Sequence, residues 1–398
     1  MPPVAAGVDF LQEPAAAFGG LLMVGALLSG LARRSFLALA PVFVVAGFVL
    51  GQGGLEVLDF DPRSDFVQGL AVIALVLILF RDGLEVEAEM LQKAWHLPFR
   101  KLALAMPLTA LLVALITHTL TDLDWIESLL VGALLSPTDP VLSSSVVTNP
   151  RVPRIIRQSL NLESGLNDGL ALPAVLALIA AAESRDDFVW WQFVVQDVGV
   201  GALTGLAVAF VAARLLARGA SPHAKSLYGL GVAFLAYGAA VLPPEGNGFI
   251  AVFVAAIAFG IWRPDIRDCF ESRAEDLLEV VKLGVFLVFG ALFTFDTLLE
   301  DGWATVGVAA FTLLLARPIA VFVALAGARG VGTDGKAFMA WFGPKGVATM
   351  TFALFVLGSS APDAARVAGI AALTVFVSIV VHGLTDQPGA EWMARRTG

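Results

Sequence analysis

Cys269 is the only cysteine in this chain. One thiol excludes an internal disulfide and any cysteine-based metal site. Histidine is scarce too, and His96, His118, His223 and His382 are scattered without ligand spacing. Charge is thin: 15% of the residues are Asp, Glu, Lys or Arg, against 58% hydrophobic, and the mean hydropathy is +0.83. Soluble domains are about 45–50% apolar and about 25% charged. A soluble fold is therefore excluded, and a polytopic membrane protein is expected. The first residues, MPPVAAGVDFLQEP, lack a basic stretch before the first apolar run, so no cleavable signal peptide is expected. No phosphate-cradling glycine motif and no nucleic-acid module is present. The net charge of −9 says less than where the charges lie.

What is present is apolar length. A membrane span needs about 20 mostly apolar residues. Thirteen spans are read at 15–32, 36–53, 66–82, 98–119, 126–147, 159–182, 190–217, 224–242, 247–262, 276–295, 301–328, 337–358 and 364–384. Lysine and arginine collect in cytoplasmic loops. Of the 25 here, most fall in every second loop, from Arg33 and Arg34 after span 1 to Arg395 and Arg396 in the tail. The intervening loops hold only Arg63, Arg185 and Arg366, and Lys282, Arg317 and Lys345 fall inside spans. The alternation predicts an external N-terminus and a cytoplasmic C-terminus. The outer loops are acidic, as at Glu56, Asp59 and Asp61, which reads as solvation or a mild funnel for cations. The segment 83–97 is amphipathic and is expected to lie on the cytoplasmic surface.

Residues 136–169 place Asp139, Glu163 and Asp168 inside apolar spans. A carboxyl in hydrocarbon costs roughly 2.5–3.5 kcal/mol on insertion scales. Pro137 and Pro140 break span 5, and Gly343-Pro344-Lys345-Gly346 breaks span 12. The two breaks lie seven spans apart, an odd number, so the second copy is expected to be inverted. Paired broken helices in inverted repeats place a substrate site where they break. Proline disfavours helix at the preceding residue, so Asp139 is expected to cap a half-helix begun by Pro140. The break frees backbone carbonyls as cation ligands, that of Thr138 among them. Lys345 is expected to offset carbonyl-bearing half-helix ends in span 12. On span 6, Ser164 and Asp168 share one helical face, while Glu163 and Asn167 share a second. Hydroxyl and carboxylate oxygens suit Na⁺ or K⁺. Asp168 is the expected exchange site, able to hold a proton or a cation. Glu163 is expected to pair with Arg317 of span 11, since a lone buried guanidinium is costly. Small Gly165 and Gly169 permit close helix contact. Lys282 is read as reaching the interface, and Asp82 as an interfacial charge or part of the cytoplasmic approach to the site. The hydroxyls of Ser143, Ser144 and Ser145 read mainly as packing groups.

Ser136-Pro137-Thr138-Asp139-Pro140, Glu163-Ser164-Gly165-Leu166-Asn167-Asp168-Gly169, Ala316-Arg317-Pro318 and Trp341-Phe342-Gly343-Pro344-Lys345-Gly346 carry a resemblance across nearly the whole chain. In order and spacing they resemble the bacterial sodium/proton antiporter family, in its Asn-Asp branch, monovalent cation:proton antiporter-1. The resemblance implies an all-α fold of about thirteen transmembrane helices, with inverted repeats and two broken, crossing helices. It implies a mobile core in 98–182 and 299–398, a dimerising scaffold in 1–97 and 221–298, and a linker helix in 183–220. It implies that Asp168 binds the ion or proton, assisted by Ser164, Asp139 and the Thr138 carbonyl, and that Glu163 and Arg317 form a structural ion pair. Asn167 beside Asp168 implies electroneutral exchange. Lys345 stands where many relatives carry arginine.

The expected activity is exchange of Na⁺, K⁺ or Li⁺ for H⁺ across the plasma membrane, with no cofactor beyond the transported ions. Expected partners are the lipid bilayer and a second copy of the chain, with no nucleic acid. Three rivals stand beside this reading. They are a K⁺-selective exchanger, a passive cation channel, and an intramembrane hydrolase using Asp139 and Asp168 as an aspartyl dyad. Arg317 and Lys345 have no role in the last.

Overall fold

The computed structural model describes residues 12–32, 39–86, 96–139, 146, 149–184, 188–217, 219–243 and 245–397. The apolar segments form helix along most of their described length, and no strand occurs among the described residues. The helices are α1 (Gln12–Ala32), α2 (Leu39–Leu50), α3 (Asp65–Leu84), α4 (His96–Leu120), α5 (Trp125–Leu134), α6 (Arg154–Ser184), α7 (Trp190–Leu215), α8 (Pro222–Val241), α9 (Gly248–Trp262), α10 (Arg267–Ala291), α11 (Trp303–Ala324), α12 and α13 (Ala364–Thr397). The twelfth is interrupted, as α12a (Thr333–Trp341) and α12b (Val347–Gly358). Seven of them, α3, α4, α6, α7, α8, α11 and α13, are long and apolar enough to cross a membrane. The protein is a multi-pass, all-helical membrane protein.

Local chemistry sets several boundaries. Ser64 starts α3 by accepting from the Val67 N–H, and Ser221 starts α8 by accepting from the Ala224 N–H. Asn247 caps α9 through the N–H groups of Phe249 and Ile250. Such side chains satisfy donors that a first helical turn leaves unpaired. Helices α4 and α11 each contain a π-helical turn, at Lys101–Ala105 and Thr312–Ala316. A proline follows each turn by two residues, Pro107 and Pro318. Proline lacks the N–H of the regular ladder and crowds the carbonyl four residues back, so the helix widens there. Helices α6 and α13 each carry an internal proline as well, Pro173 and Pro388. The pairs α4/α11 and α6/α13 flank the two breaks, as an internal repeat requires.

Two boundaries differ from expectation. Helix α10 starts at Arg267 rather than near 276, because its first turns are polar and extend past the apolar stretch. Helix α13 runs on to Thr397, beyond the expected end at 384. Its end is joined to α12a by Arg396 and Asp334, 3.3 Å apart.

Helix α10 lies along α2 and α3, and α9 lies along α3, α7 and α8. Helix α4 lies along α5 and α11, and α13 lies along α11 and α12b. A smaller apolar cluster includes Ile156, Leu160, Val321, Phe338 and Met393, while the larger one runs from α2, α3, α9 and α10 into α5, α6, α12b and α13. Helices α3, α9 and α10 meet α6 and α12b along a seam. The outward faces are apolar: Leu203 and Leu215 of α7 are 68% and 73% exposed. Hydrocarbon, not water, covers such faces.

At the end of α9, Asp265 gathers three elements. Lys225 of α8 lies 2.7 Å from it and Arg263 lies 2.9 Å from it, while Arg263 also donates to the Leu216 carbonyl at 2.7 Å. These cations hold the Asp265 carboxyl below the usual carboxylate range, the hydrogen bond from Arg263 contributing most. A depressed folded-state pKa stabilises the fold above the unfolded pKa, and the stabilisation is lost as pH falls through the folded value. Asp265→Asn should therefore lower the thermal midpoint in detergent by about 1–2 °C at pH 7. The gap from the parent protein should narrow only below about pH 4. A gap that closes on the alkaline side would contradict this.

Candidate ion-binding site

Helix α5 ends at Leu134, and residues 135–139 leave helical geometry. The break in the twelfth span covers residues 342–346. The two breaks cross, and each supplies what the other lacks. The first helix end leaves carbonyls unpaired, and the second leaves N–H groups unpaired. The Thr349 hydroxyl donates to the Leu134 carbonyl at 3.0 Å, and the Lys345 ammonium donates to the Pro137 carbonyl at 3.1 Å. In return, Asp139 Oδ2 accepts from the Val347 N–H at 3.2 Å, at the start of α12b. The Asp139 N–H also donates to the Pro344 carbonyl at 2.8 Å. Only glycine fits at 346, because a Cβ there would strike the Asp139 side chain.

Asp139 was expected to cap its own half-helix. That half-helix lies outside the described residues, and what the structure shows is an acceptor role toward the opposite broken helix. Pro140 and the serines at 143–145 lie outside the described residues. Lys345, assigned to the helix ends of span 12, reaches across to the carbonyl end of α5.

Helix α13 fastens the break from the other side. The Lys345 N–H donates to Ser378 Oγ at 2.9 Å. His382 lies 3.0 Å from the Trp341 carbonyl through Nε2, and 3.1 Å from Ser378 Oγ through Nδ1. The sequence showed no pattern around His382, because one partner is a neighbour on its own helix and the other is a backbone carbonyl 41 residues away.

Helix α6 brings both of its polar faces into this region. On one, Glu163 binds Arg317 through two hydrogen bonds of 3.0 and 3.2 Å. Arg317 also donates to the Met339 carbonyl at 3.2 Å, and Gly343 leaves room for the guanidinium. A third member was missed. Lys101, counted with the cytoplasmic loops, is 0% exposed and donates to Glu163 Oε2 at 2.7 Å and to the Ser159 carbonyl at 3.0 Å. It follows Arg100 in a basic pair that ordinarily marks a membrane boundary. The π-helical turn of α4 begins at Lys101. The cluster joins α4, α6, α11 and α12a.

The other face carries Ser164 and Asp168, both buried. Asn167 donates through Nδ2 to the Thr138 carbonyl at 2.9 Å and to Thr138 Oγ1 at 3.0 Å. A carbonyl accepts only, so this bond fixes the amide with Oδ1 turned away. The Thr138 carbonyl, expected as a cation ligand, is thus engaged by Asn167. Asn167 Oδ1 and Asp168 Oδ1 are buried without a hydrogen-bond partner among the described residues. Asp168 is 6% exposed, and the charges of Asp82, Asp139, Arg81 and Lys282 lie within interaction range. Gly169 packs against the Phe253 ring of α9, and Gly165 faces the Asp82 carbonyl.

Asp82 is buried at the end of α3, not at the interface, and accepts from Arg81 at 2.6 and 2.8 Å. Lys282 is also buried, so it does not reach the interface. No group of three or more His, Cys, Asp or Glu side chains placed to hold a metal occurs among the described residues. What the site offers is one carboxylate with neutral oxygens beside it, an arrangement suited to a weakly held monovalent cation.

Removing the anion of the Glu163 cluster leaves two cations buried without compensation. Glu163→Gln should cost about 3–5 kcal/mol, read as a large fall in the thermal midpoint. Lys101→Met keeps the two Arg317 bonds and should lower the midpoint less. An unchanged midpoint in Glu163→Gln would contradict the assignment.

The sodium/hydrogen exchanger, transmembrane, family model matches residues 21–392. The chain is 26% identical over 372 residues to the K(+)/H(+) antiporter NhaP2 of Shewanella oneidensis, covering 91% of this chain and 64% of that protein. It is 27% identical over 385 residues to the K(+)/H(+) antiporter NhaP of Alkalimonas amylolytica, covering 94% and 66%. The chain thus spans just under two thirds of the length of these relatives. The sodium proton antiporter MjNhaP1 from Methanocaldococcus jannaschii superposes with a TM-score of 0.82 at 20% identity, over 96% of this chain and 100% of that one. That likeness establishes the fold. With a family model matched along almost its entire length, the chain belongs to the transmembrane sodium/hydrogen exchanger family.

Proposed function

We propose that the protein exchanges a monovalent cation for a proton, one for one, at Asp168. One observation carries this reading. Asp168 holds an oxygen buried in the protein interior with no donor among the described residues. A buried carboxylate oxygen without a donor is costly. Either a proton or a cation relieves that cost, and one excludes the other. Competition at one carboxylate couples the two fluxes. Ser164 lies one turn below on the same face, and Asn167 and Asp139 border the site. Neutral Asn167 leaves Asp168 as the one acid of its pair, which supports exchange without net charge movement.

In this reading the seam is where movement occurs. The core (98–182 and 299–398) carries Asp139 and Asp168, and the scaffold (1–97 and 221–298) carries α3, α9 and α10. Sliding of the core exposes the site to each side in turn, with 183–220 linking the halves. Asp82, at the end of α3, lines the approach. The scaffold faces pair in a homodimer. The protein lies in the plasma membrane with its N-terminus outside and its C-terminus in the cytoplasm, the orientation that the lysine and arginine pattern supports.

Na⁺ is the first candidate cation, with Li⁺ alongside. K⁺ is the second reading, favoured by the K(+)/H(+) names of the relatives. Proteoliposomes decide between them. Proton movement driven by Na⁺, K⁺ or Li⁺ should saturate, and its rate should not change under a clamped voltage. Asp168→Asn should insert and stay monodisperse yet show no exchange. Ser164→Ala should raise the half-saturating cation concentration about fivefold, the equivalent of one ligand oxygen at about 1 kcal/mol. Normal exchange in Asp168→Asn, or an ohmic current through the wild type, would overturn the reading.

A further inference from the structure

Helix α10 brings one more cation to the seam. Lys282 is 8% exposed, whereas Glu275, Asp276 and Glu279 of the same helix are exposed. Its ammonium has no hydrogen-bond or ion-pair partner among the described residues. Helix α10 packs against α2, α3, α8 and α12b. Helices α2 and α12b have no ionisable side chain. On α8, Lys225 is engaged with Asp265 and Tyr228 with the Ala212 carbonyl. The charges within range of Lys282 are Arg81 and Asp82 of α3 and Glu85 just past its end, with Asp139 at the crossing. Asp168 of α6 is within range as well. Arg81 is already committed to Asp82 at 2.6 Å and to Glu85 at 3.7 Å.

We propose that Lys282 is a tethered cation of the scaffold that contests the Asp139 and Asp168 carboxylates with the transported ion, and so sets how tightly the site holds it. Lysine suits the task. Its ammonium is a compact charge on a flexible four-carbon stem, free to follow a carboxylate, whereas the arginine fork needs a fixed geometry. Lys282 belongs to α10 and the two acids belong to the crossing and α6, on opposite sides of the seam. Any relative movement of core and scaffold changes the repulsion between Lys282 and a bound cation. The cation is held more weakly where Lys282 is near and more tightly where it is far. A ligand that binds two states with different affinity shifts their balance by that difference. Lys282 is a positioning residue in this account and is never carried across.

The proposal rests on Asp168 as the exchange site, and its test separates the two. Lys282→Met removes a fixed positive charge, so the acids should hold both cation and proton more tightly. In proteoliposomes at alkaline pH, where protons compete little, the half-saturating cation concentration should fall about tenfold. The acid limb of the pH profile should move up by about one unit. Lys282→Arg should keep both wild-type values. If Lys282→Met does not reach the membrane, Lys282→His carries the test, because imidazole is charged only below about pH 6.5. It should match the wild type at pH 6 and bind the cation more tightly at pH 8.5. Unchanged half-saturation and an unchanged pH profile in the neutral variant would overturn the proposal. Exchange surviving in Asp168→Asn would instead overturn the antiport reading, whatever Lys282 does.

Discussion

In hydrocarbon no water completes an interrupted backbone, so every peptide group has to find its partner within the protein. The crossing of the two broken helices is where this chain meets that constraint. Lys345 and Thr349 supply donors to the carbonyl end of α5, and Asp139 supplies an acceptor to the amide end of α12b. Ser378 and His382 close the far side. The rest of the core is arranged to hold this crossing. The Glu163 cluster fixes α6 against α4 and α11, and through Arg317 it reaches the Met339 carbonyl near the end of α12a. Asp168 is then presented beside the crossing with an oxygen uncommitted.

Two kinds of acid result from this arrangement. Asp139 and Glu163 are bound by donors from other helices, which makes them parts of the framework. Asp168 is left open among neighbouring charges that approach it without satisfying it. The separation of roles comes from geometry rather than residue type, because all three are carboxyls within one stretch of 30 residues in apolar sequence. Neutral Asn167 sharpens it: its amide nitrogen is tied to Thr138, so its oxygen is turned away from that contact.

Much of the fold was legible in the sequence because a bilayer imposes a length rule. Apolar runs, prolines at 137, 140 and 344, and alternate basic loops were enough to lay out thirteen spans and both breaks. The Glu163–Arg317 pair was legible because a lone guanidinium in hydrocarbon demands an anion. Lys101 was not, because a basic residue beside Arg100 at the start of a span looks like any membrane boundary. The π-helical turn that begins at Lys101 goes with Pro107, and it shows only in three dimensions. The reach of Asp139 across to Val347 was hidden for another reason. Sequence places a capping side chain beside its own helix, while this bond spans 208 residues. Lys282 looked able to reach the interface, and only the packing of α10 against α3 shows that it is buried.

That span of 208 residues has a consequence for how the protein is made. Ribosomes add roughly 5–20 residues per second. After Asp139 has been synthesised, roughly 10–40 s pass before Val347 exists to meet it. Through that interval α5 sits in the translocation machinery or the bilayer with its carbonyl end unfinished and its aspartate without this partner. The first repeat is therefore an incomplete object until the second arrives. Biogenesis has to shelter it, by delayed release or by water drawn to the open end, until the two halves interlock.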